Sequence, residues 1–348
     1  MTALDRARLV IDLDALAHNR AVLAAEAAGA EVAAVVKADG YGLGATPVAR
    51  RLLAEGVTRF FVARLAEGEA LRSALGRNAT IYVLDGLLPG SADRLSASGL
   101  TPVLATPAQV AAAAGFPGSL AIQVDTGMHR QGLTLDDARR LAGAVEVDLV
   151  MSHLGSASEP RDARNAAQLE LFRAARALFP AAKASLGASA GAFLGPDYRY
   201  DVVRGGISLY GGGPEDRPDP RLKAVATLTA PLLDVRNLQA GDRVSYGEVF
   251  TADRAMRVGI VGAGYADGIV RSAAGKARVW AGGRPRRLLA VNMDLSIIEL
   301  DDAPASGAPV EILGENARLD DLAQAAGTVA HEILVRLSTR AERIYRGA

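Results

Sequence analysis

The chain contains no cysteine. Disulfides and thiolate metal sites are therefore excluded, and no metal is expected. Formal net charge is zero, with 39 basic and 39 acidic residues, which leaves no electrostatic case for nucleic acid or an anionic membrane. No stretch approaches the roughly 18 consecutive apolar residues of a spanning helix. The opening, MTALDRARLVIDLD, is acidic early and lacks an apolar signal core. The expectation is a soluble, cytoplasmic protein. Lysine is also scarce. Of the 39 basic residues four are lysine, namely Lys37, Lys183, Lys223 and Lys276. Arginine stays protonated and cannot act as an amine nucleophile, whereas lysine can. Lys37 is thus a candidate for amine chemistry, although a bias in base composition would favour arginine too.

What is present is a long alternation. The 348 residues, half of them hydrophobic, suffice for a sizeable core and for two domains or one barrel with an appendage. Apolar or β-branched runs occur at 31–36, 59–63, 80–84, 101–104, 119–125, 147–152, 183–187 and 201–204. Stretches of helical period lie between them, among them 14–28, 45–56, 65–76 and 161–178. ATPAQVAAAAG at 105–115 carries a Thr N-cap, Pro at the first helical position and a terminal Gly. Eight strands alternating with helices predict an α/β fold, a (β/α)8 TIM barrel over residues 1–222. A doubly wound sheet is the rival, but no GxGxxG follows the first strand. From about 225 the texture changes to short strands with Gly and Asp turns, including a hairpin at AGGRP (281–285) and one helix near 319–326. Residues 223–348 are read as a mainly β C-terminal domain, joined through the linker GGGPEDRPDPR (211–221).

Active sites of (β/α)8 barrels lie at the C-terminal ends of the strands, and the unusual polar residues of the first domain fall there. Lys37 closes the first strand, followed by the Gly-rich ADGYGLGA with Tyr41. Asp125 and Arg130 follow the fifth strand, His153 the sixth and Ser189 the seventh; Arg204 ends the eighth. The last two positions are where such barrels bind phosphate through Gly-rich turns. A reactive lysine facing a phosphate site points to pyridoxal 5′-phosphate held as a Schiff base. Each residue alone also has a plainer reading: a solvated lysine, a core histidine, a structural arginine, a tyrosine packed over its loop. Convergence from separate strands on one face favours the chemical reading.

AVVKADGYGLGA, with LVIDLDALAHN, VDTGMHR, SHLGSAS, VRGGISLYG, VSYG, GYADG, NMD and HEILVRLSTRAERIY, resembles the bacterial alanine racemases, fold-type III pyridoxal-phosphate enzymes, over nearly the whole chain. The resemblance implies a two-base mechanism interconverting L- and D-alanine and supplying D-alanine for peptidoglycan. Lys37 would hold the cofactor and exchange the α-proton on one face. Tyr265 of the other subunit of a homodimer with shared active sites would serve the opposite face. Arg204 would face the pyridine nitrogen, with His153 between Arg204 and Tyr265. Arg130 would hold the cofactor phenolic oxygen and the substrate carboxylate, and the backbone of Met293, again from the other subunit, would complete the carboxylate pocket. Tyr41, Ser189, Gly206 and Ile207 would hold the phosphate, with His331 at the position of the family's phosphate-binding tyrosine.

The chain departs from the family pattern at several places. Gln123 stands where a carbamate-modified lysine is common, Ala188 precedes Ser189 where Asn is usual, Leu289-Ala290 replaces Gly-Arg, and Asn292 replaces Cys or Ser. A racemase acting on serine or another small amino acid, or a non-catalytic pyridoxal-phosphate-binding homologue, fits these changes as well. A fold-type III decarboxylase is disfavoured, because Arg204 stands where a strong electron sink prefers an acid.

Overall fold

The computed structural model describes residues 6–301 and 306–347. The chain divides into two compact units, one of Ala17–Leu209 and one of Met1–Leu16 with Tyr210–Ala348.

In the first unit the eight strands are Glu31–Val35, Arg59–Val62, Thr80–Val83, Thr101–Leu104, Ala121–Gln123, Leu149–Met151, Lys183–Ser185 and Val202–Gly205. Each pairs in parallel with the next as far as the seventh, and the eighth pairs in parallel with the first. The seam between the seventh and eighth is closed by the bridge Ala188 to Arg204 and by Asp201 N–H donating to Ala184 O at 3.1 Å. This is the expected (β/α)8 barrel, followed by a mainly β domain. The strands are short and apolar because side chains on both faces are covered, one by the barrel interior and one by helices. The interior draws Ala33, Phe61, Tyr82, Val103, Ala121, Leu149, Met151 and Val202 from seven of the eight strands. Phe61 and Tyr82 stack at 4.6 Å, and burying the Phe61 ring contributes about 1.5–3 kcal/mol. The Thr106 cap is formed as its sequence requires, with its hydroxyl accepting from Gln109 N–H at 3.2 Å and Pro107 opening the helix.

The N-terminal end of this barrel is a structural lock. Glu31 accepts from Arg59 Nε and Lys183 Nζ, each at 2.9 Å, while Arg59 also donates to Tyr82 Oη at 2.6 Å. Lys183 is therefore committed to an ion pair at the stability face. Lys37 lies beyond the opposite end of its strand.

The second unit is organised on the 13-residue strand Ala226–Leu238. Its sheet runs Met256–Val261, Ser296–Leu300, Arg284–Val291, Arg278–Ala281, Pro309–Leu313, Ala226–Leu238, Arg8–Asp12, Glu342–Arg346. A further pairing of Ala226–Leu238 with Met256–Val261 closes the first six strands into a ring. The hairpin at 281–285 joins Arg278–Ala281 to Arg284–Val291 as expected.

Three details differ from the sequence reading. Residues 6–16 belong with this unit and not with the barrel, so the boundary is not a single cut at 222. Strand Arg8–Asp12 buries Leu9 and Ile11 and pairs antiparallel with Ala226–Thr229 and parallel with Glu342–Arg346. A second helix, Ala330–Val335, follows Leu319–Ala326. The 211–221 segment is anchored to the unit: Gly213 N–H donates to Asp320 Oδ2 at 2.9 Å, and Arg318 Nη2 donates to Asp219 O at 3.4 Å. Among the described residues, no helix is long and apolar enough to cross a membrane.

Candidate active site

Lys37 does not end the first strand, which stops at Val35, but opens a short helical turn, Lys37–Tyr41. That turn is left-handed. Ala38, Asp39, Gly40 and Tyr41 have φ of 53°, 54°, 62° and 56°, a conformation costing non-glycine residues about 1–2 kcal/mol each. Three such residues within four positions, Ala38, Asp39 and Tyr41, constitute local strain of the kind found at functional sites. The strain is held by Gly40 N–H to Val36 O (2.9 Å), Gly42 N–H to Ala38 O (2.7 Å) and Ala45 N–H to Asp39 Oδ1 (2.8 Å). Glycine at 40 takes this conformation without a side-chain penalty, and a Cβ there would lie 3.1 Å from the backbone of Ala45. Burial pushes the Lys37 ammonium below the ordinary lysine value, helped by the charges of Arg130 and Arg204 and opposed by Glu67. An amine so placed loses its proton more readily and is the better nucleophile.

Arg204, in the eighth strand, is buried with 3 % of its surface exposed. Its Nη1 donates to Ser185 O (2.8 Å) and Ser185 Oγ (2.7 Å). Its Nη2 donates to Ser152 O (2.5 Å) and Leu186 O (3.3 Å), and meets His153 Nδ1 at 3.2 Å. A guanidinium has no acceptor, so His153 Nδ1 accepts and the proton of the neutral imidazole sits on Nε2. Burial, with the charge of Arg130, brings the Arg204 value down to about 10, so the group is still protonated at neutral pH. All these bonds use the terminal amino groups. Among the described residues none engages the Nε–H, which is left to donate to something else.

Behind Arg204 the chain forms a neutral donor cluster. Ser189 Oγ accepts from Gly206 N–H at 2.9 Å and Ser208 N–H at 3.2 Å. Both lone pairs are then used, and the hydroxyl hydrogen remains to be donated. A Cβ on Gly206 would meet Tyr41 Oη at 2.7 Å, so a larger residue there would displace the phenol. Burial raises the Tyr41 value well above its ordinary range, which keeps it a hydroxyl donor. Ile207 begins the 3-10 turn Ile207–Tyr210 immediately after Gly206. Ser208 Oγ is buried with no hydrogen-bond partner among the described residues. The Ser189 and Ser208 hydroxyls around a Gly-rich turn suit a phosphate. The spare Nε–H suits a ring nitrogen, and the low-pKa amine suits an aldehyde. The donor set fits pyridoxal phosphate.

Arg130 stands on the loop after the fifth strand. Asp125 caps that loop, its Oδ1 accepting from Gly127, Met128 and His129 N–H at 2.9, 2.9 and 3.1 Å. Burial acts to raise the Asp125 carboxyl, but these three bonds outweigh it and hold it below the usual range. At the other end Gln123 Nε2 donates to Gln131 O at 2.6 Å. The neutral Gln123 thus braces the backbone next to Arg130.

The remaining expected site residues lie in the second unit. Tyr265 and Met293 sit side by side, Tyr265 N–H donating to Asn292 O at 2.8 Å and Ala266 N–H to Met293 O at 2.9 Å. Gly264 permits this approach, for a Cβ there would lie 2.2 Å from Asn292 O. Asn292 Oδ1 also accepts from Ser245 Oγ at 2.5 Å. Both side chains are exposed, Tyr265 at 44 % and Met293 at 55 %. His331 is the second residue of helix Ala330–Val335. The chain just beyond that helix meets the Tyr265 turn through Ser338 N–H to Asp267 O at 3.3 Å.

Residues 11–214 match the family model described as alanine racemase, N-terminal domain, and residues 225–345 match the alanine racemase, C-terminal domain. The chain belongs to the alanine racemase family. It is 43 % identical to an alanine racemase of Methylobacterium nodulans, over 97 % of this chain and 96 % of that one. Among solved structures it resembles the alanine racemase of Bartonella henselae with covalently bound pyridoxal phosphate, at a TM-score of 0.91 and 33 % identity, covering 99 % of this chain and 100 % of that one. The Streptomyces coelicolor A3(2) alanine racemase is similar, with a TM-score of 0.91, 34 % identity, and 99 % and 98 % coverage. Two contributors in this racemase-family chain escaped the sequence reading. Ser208 is hidden inside the ISLY run, and Glu67, beside Lys37, reads as the polar face of a helix.

Proposed function

We propose that the protein is an alanine racemase that works with pyridoxal 5′-phosphate. The observation that carries this reading is the pairing of Lys37, an amine made labile by burial, with Arg204, a buried guanidinium whose Nε–H no described residue uses. When bound, the cofactor withdraws electrons from the amino group of the substrate and so acidifies its α-proton.

The residues divide the remaining work. Lys37 anchors the aldehyde and then takes or returns the α-proton on one face. Arg204 donates from Nε to the ring nitrogen without surrendering its proton. That leaves a weaker electron sink, which limits side reactions such as transamination. Ser189 and Tyr41 hydroxyls, with the backbone of Gly206 and Ile207, hold the phosphate, and His331 takes the place of a further hydroxyl donor. Arg130 and the Met293 backbone of a second copy hold the substrate carboxylate. Racemisation needs a proton carrier on each face of the planar α-carbon, and Tyr265 of a second copy supplies the other. An unperturbed phenol has a pKa of about 10, so the cationic His153–Arg204 pair is assigned the task of favouring its phenolate. The support for Tyr265 is its exposure beside Met293 on a surface that a partner would cover. Under the same reading the enzyme is a cytoplasmic homodimer that supplies D-alanine to the cell wall, statements that rest on the resemblance of its motifs.

The test is chiral chromatography after incubation of the cofactor-loaded protein with L-alanine, L-serine and other small amino acids. D-Alanine forming fastest supports the reading. D-Serine forming faster moves the assignment to a serine racemase of the same family, and no inversion of any amino acid overturns it.

A further inference from the structure

The left-handed turn that carries Lys37 is tied from outside by one carboxylate. Glu67 lies in the first turn of helix Leu65–Leu75, after the second barrel strand. Its Oε1 accepts from Ala38 N–H at 2.7 Å, on the peptide directly following Lys37. Its Oε2 accepts from Ala63 N–H at 2.8 Å and Arg64 N–H at 3.0 Å. We infer that Glu67 is a positioning residue for Lys37, a clamp whose two oxygens fasten the strained lysine turn to the end of the second barrel strand. The inference rests on the proposed role of Lys37 as cofactor anchor.

Three backbone donors converge on this one side chain, and only a carboxylate satisfies all of them. An amide offers a single acceptor oxygen and turns an NH2 donor toward the remaining N–H. Glutamine at this position keeps the shape and the helix cap by directing its oxygen to the Ala63–Arg64 pair. It then sets donor against donor at Ala38. A turn in the left-handed region has no intrinsic preference for staying there, so losing that bond releases the Lys37 backbone. Glu67 also acts through space. The charges facing Lys37 are Arg130, Arg204 and Glu67, and Glu67 alone favours the ammonium. A merely structural cap would affect folding stability and leave the amine's titration unchanged.

The experiment follows Lys37 directly. Cofactor-free wild type, Glu67→Gln and Glu67→Asp are mixed with pyridoxal 5′-phosphate across pH. Attachment at Lys37, in which the amine adds to the aldehyde carbon and water leaves, is read from the visible absorption band. Its site is fixed by borohydride and peptide mapping. Hydrogen exchange at the Ala38 amide is measured in parallel. Glu67→Gln is expected to retain its fold, to exchange Ala38 at least about tenfold faster, and to lower the limiting attachment rate about tenfold. Its pH midpoint should move down by roughly half a unit to one unit, because a negative neighbour has been removed. Glu67→Asp keeps the charge on a shorter arm, so its midpoint should hold while its limiting rate falls. Unchanged rate, midpoint and Ala38 exchange in Glu67→Gln would overturn the clamp. If wild type itself attaches nothing at Lys37, the cofactor reading fails separately, and the clamp then stands or falls on Ala38 exchange.

Discussion

Burial and the charges of Arg130 and Arg204 both weaken proton binding at Lys37 in the folded protein. The unfolded chain holds that proton up to the ordinary lysine value of about 10.4. Between the depressed folded value and that limit the unfolded state binds more protons, so the stability of the cofactor-free protein rises with pH across this window. Lys37→Met removes the buried charge. It should raise the Tm of the cofactor-free protein by a few degrees at neutral pH, with the gain shrinking as the pH approaches about 10. A lowered Tm at neutral pH would mean that contacts of the amine outweigh its desolvation. Lys37, His153, Ser189 and Arg204 were legible from the sequence because the barrel rule says which end of each strand matters. Glu67 was not. An acidic residue on a helix of alternating polarity has the same local pattern whether it meets water or three backbone donors.

At the scale of elements, the eight barrel strands were readable because each is a short apolar run between helical stretches. Strand Arg8–Asp12 was assigned to the wrong unit. Its partners begin more than two hundred residues later, at Ala226–Thr229 and Glu342–Arg346, and no local pattern announces a pairing of that separation. The left-handed turn after Lys37 was only half legible: the glycines marked a bend, but Ala38 and Tyr41 in that region had no signal. The Arg130 loop is a separate element, braced by Asp125 and Gln123. Asp125→Ala leaves three N–H groups without their acceptor. It should cost about 2 kcal/mol in denaturant unfolding and raise the KM for alanine several-fold more than it lowers kcat. An unchanged KM would detach this loop from substrate binding.

At the scale of the whole molecule, the proposed reaction needs two chains. Tyr265 and Met293 are exposed on the second unit, and the proposal places them over the Lys37 of another copy. Chains carrying Lys37→Ala and chains carrying Tyr265→Ala should each be nearly inactive. Refolded together in equal amounts, they should regain about a quarter of wild-type activity, since half of the random dimers hold one site with both groups. No recovery on mixing would place both groups in one chain. The most direct measurement is the fate of the α-hydrogen. Cofactor-loaded protein incubated with L-alanine in D2O is followed by NMR for deuterium at Cα and by chiral chromatography for D-alanine. The account predicts both together, with inversion lost in Tyr265→Ala and α-hydrogen exchange surviving for one enantiomer of alanine only, the one whose face keeps its base. Deuteration without any D-alanine in the wild-type protein would contradict it, for only one face would then carry a base.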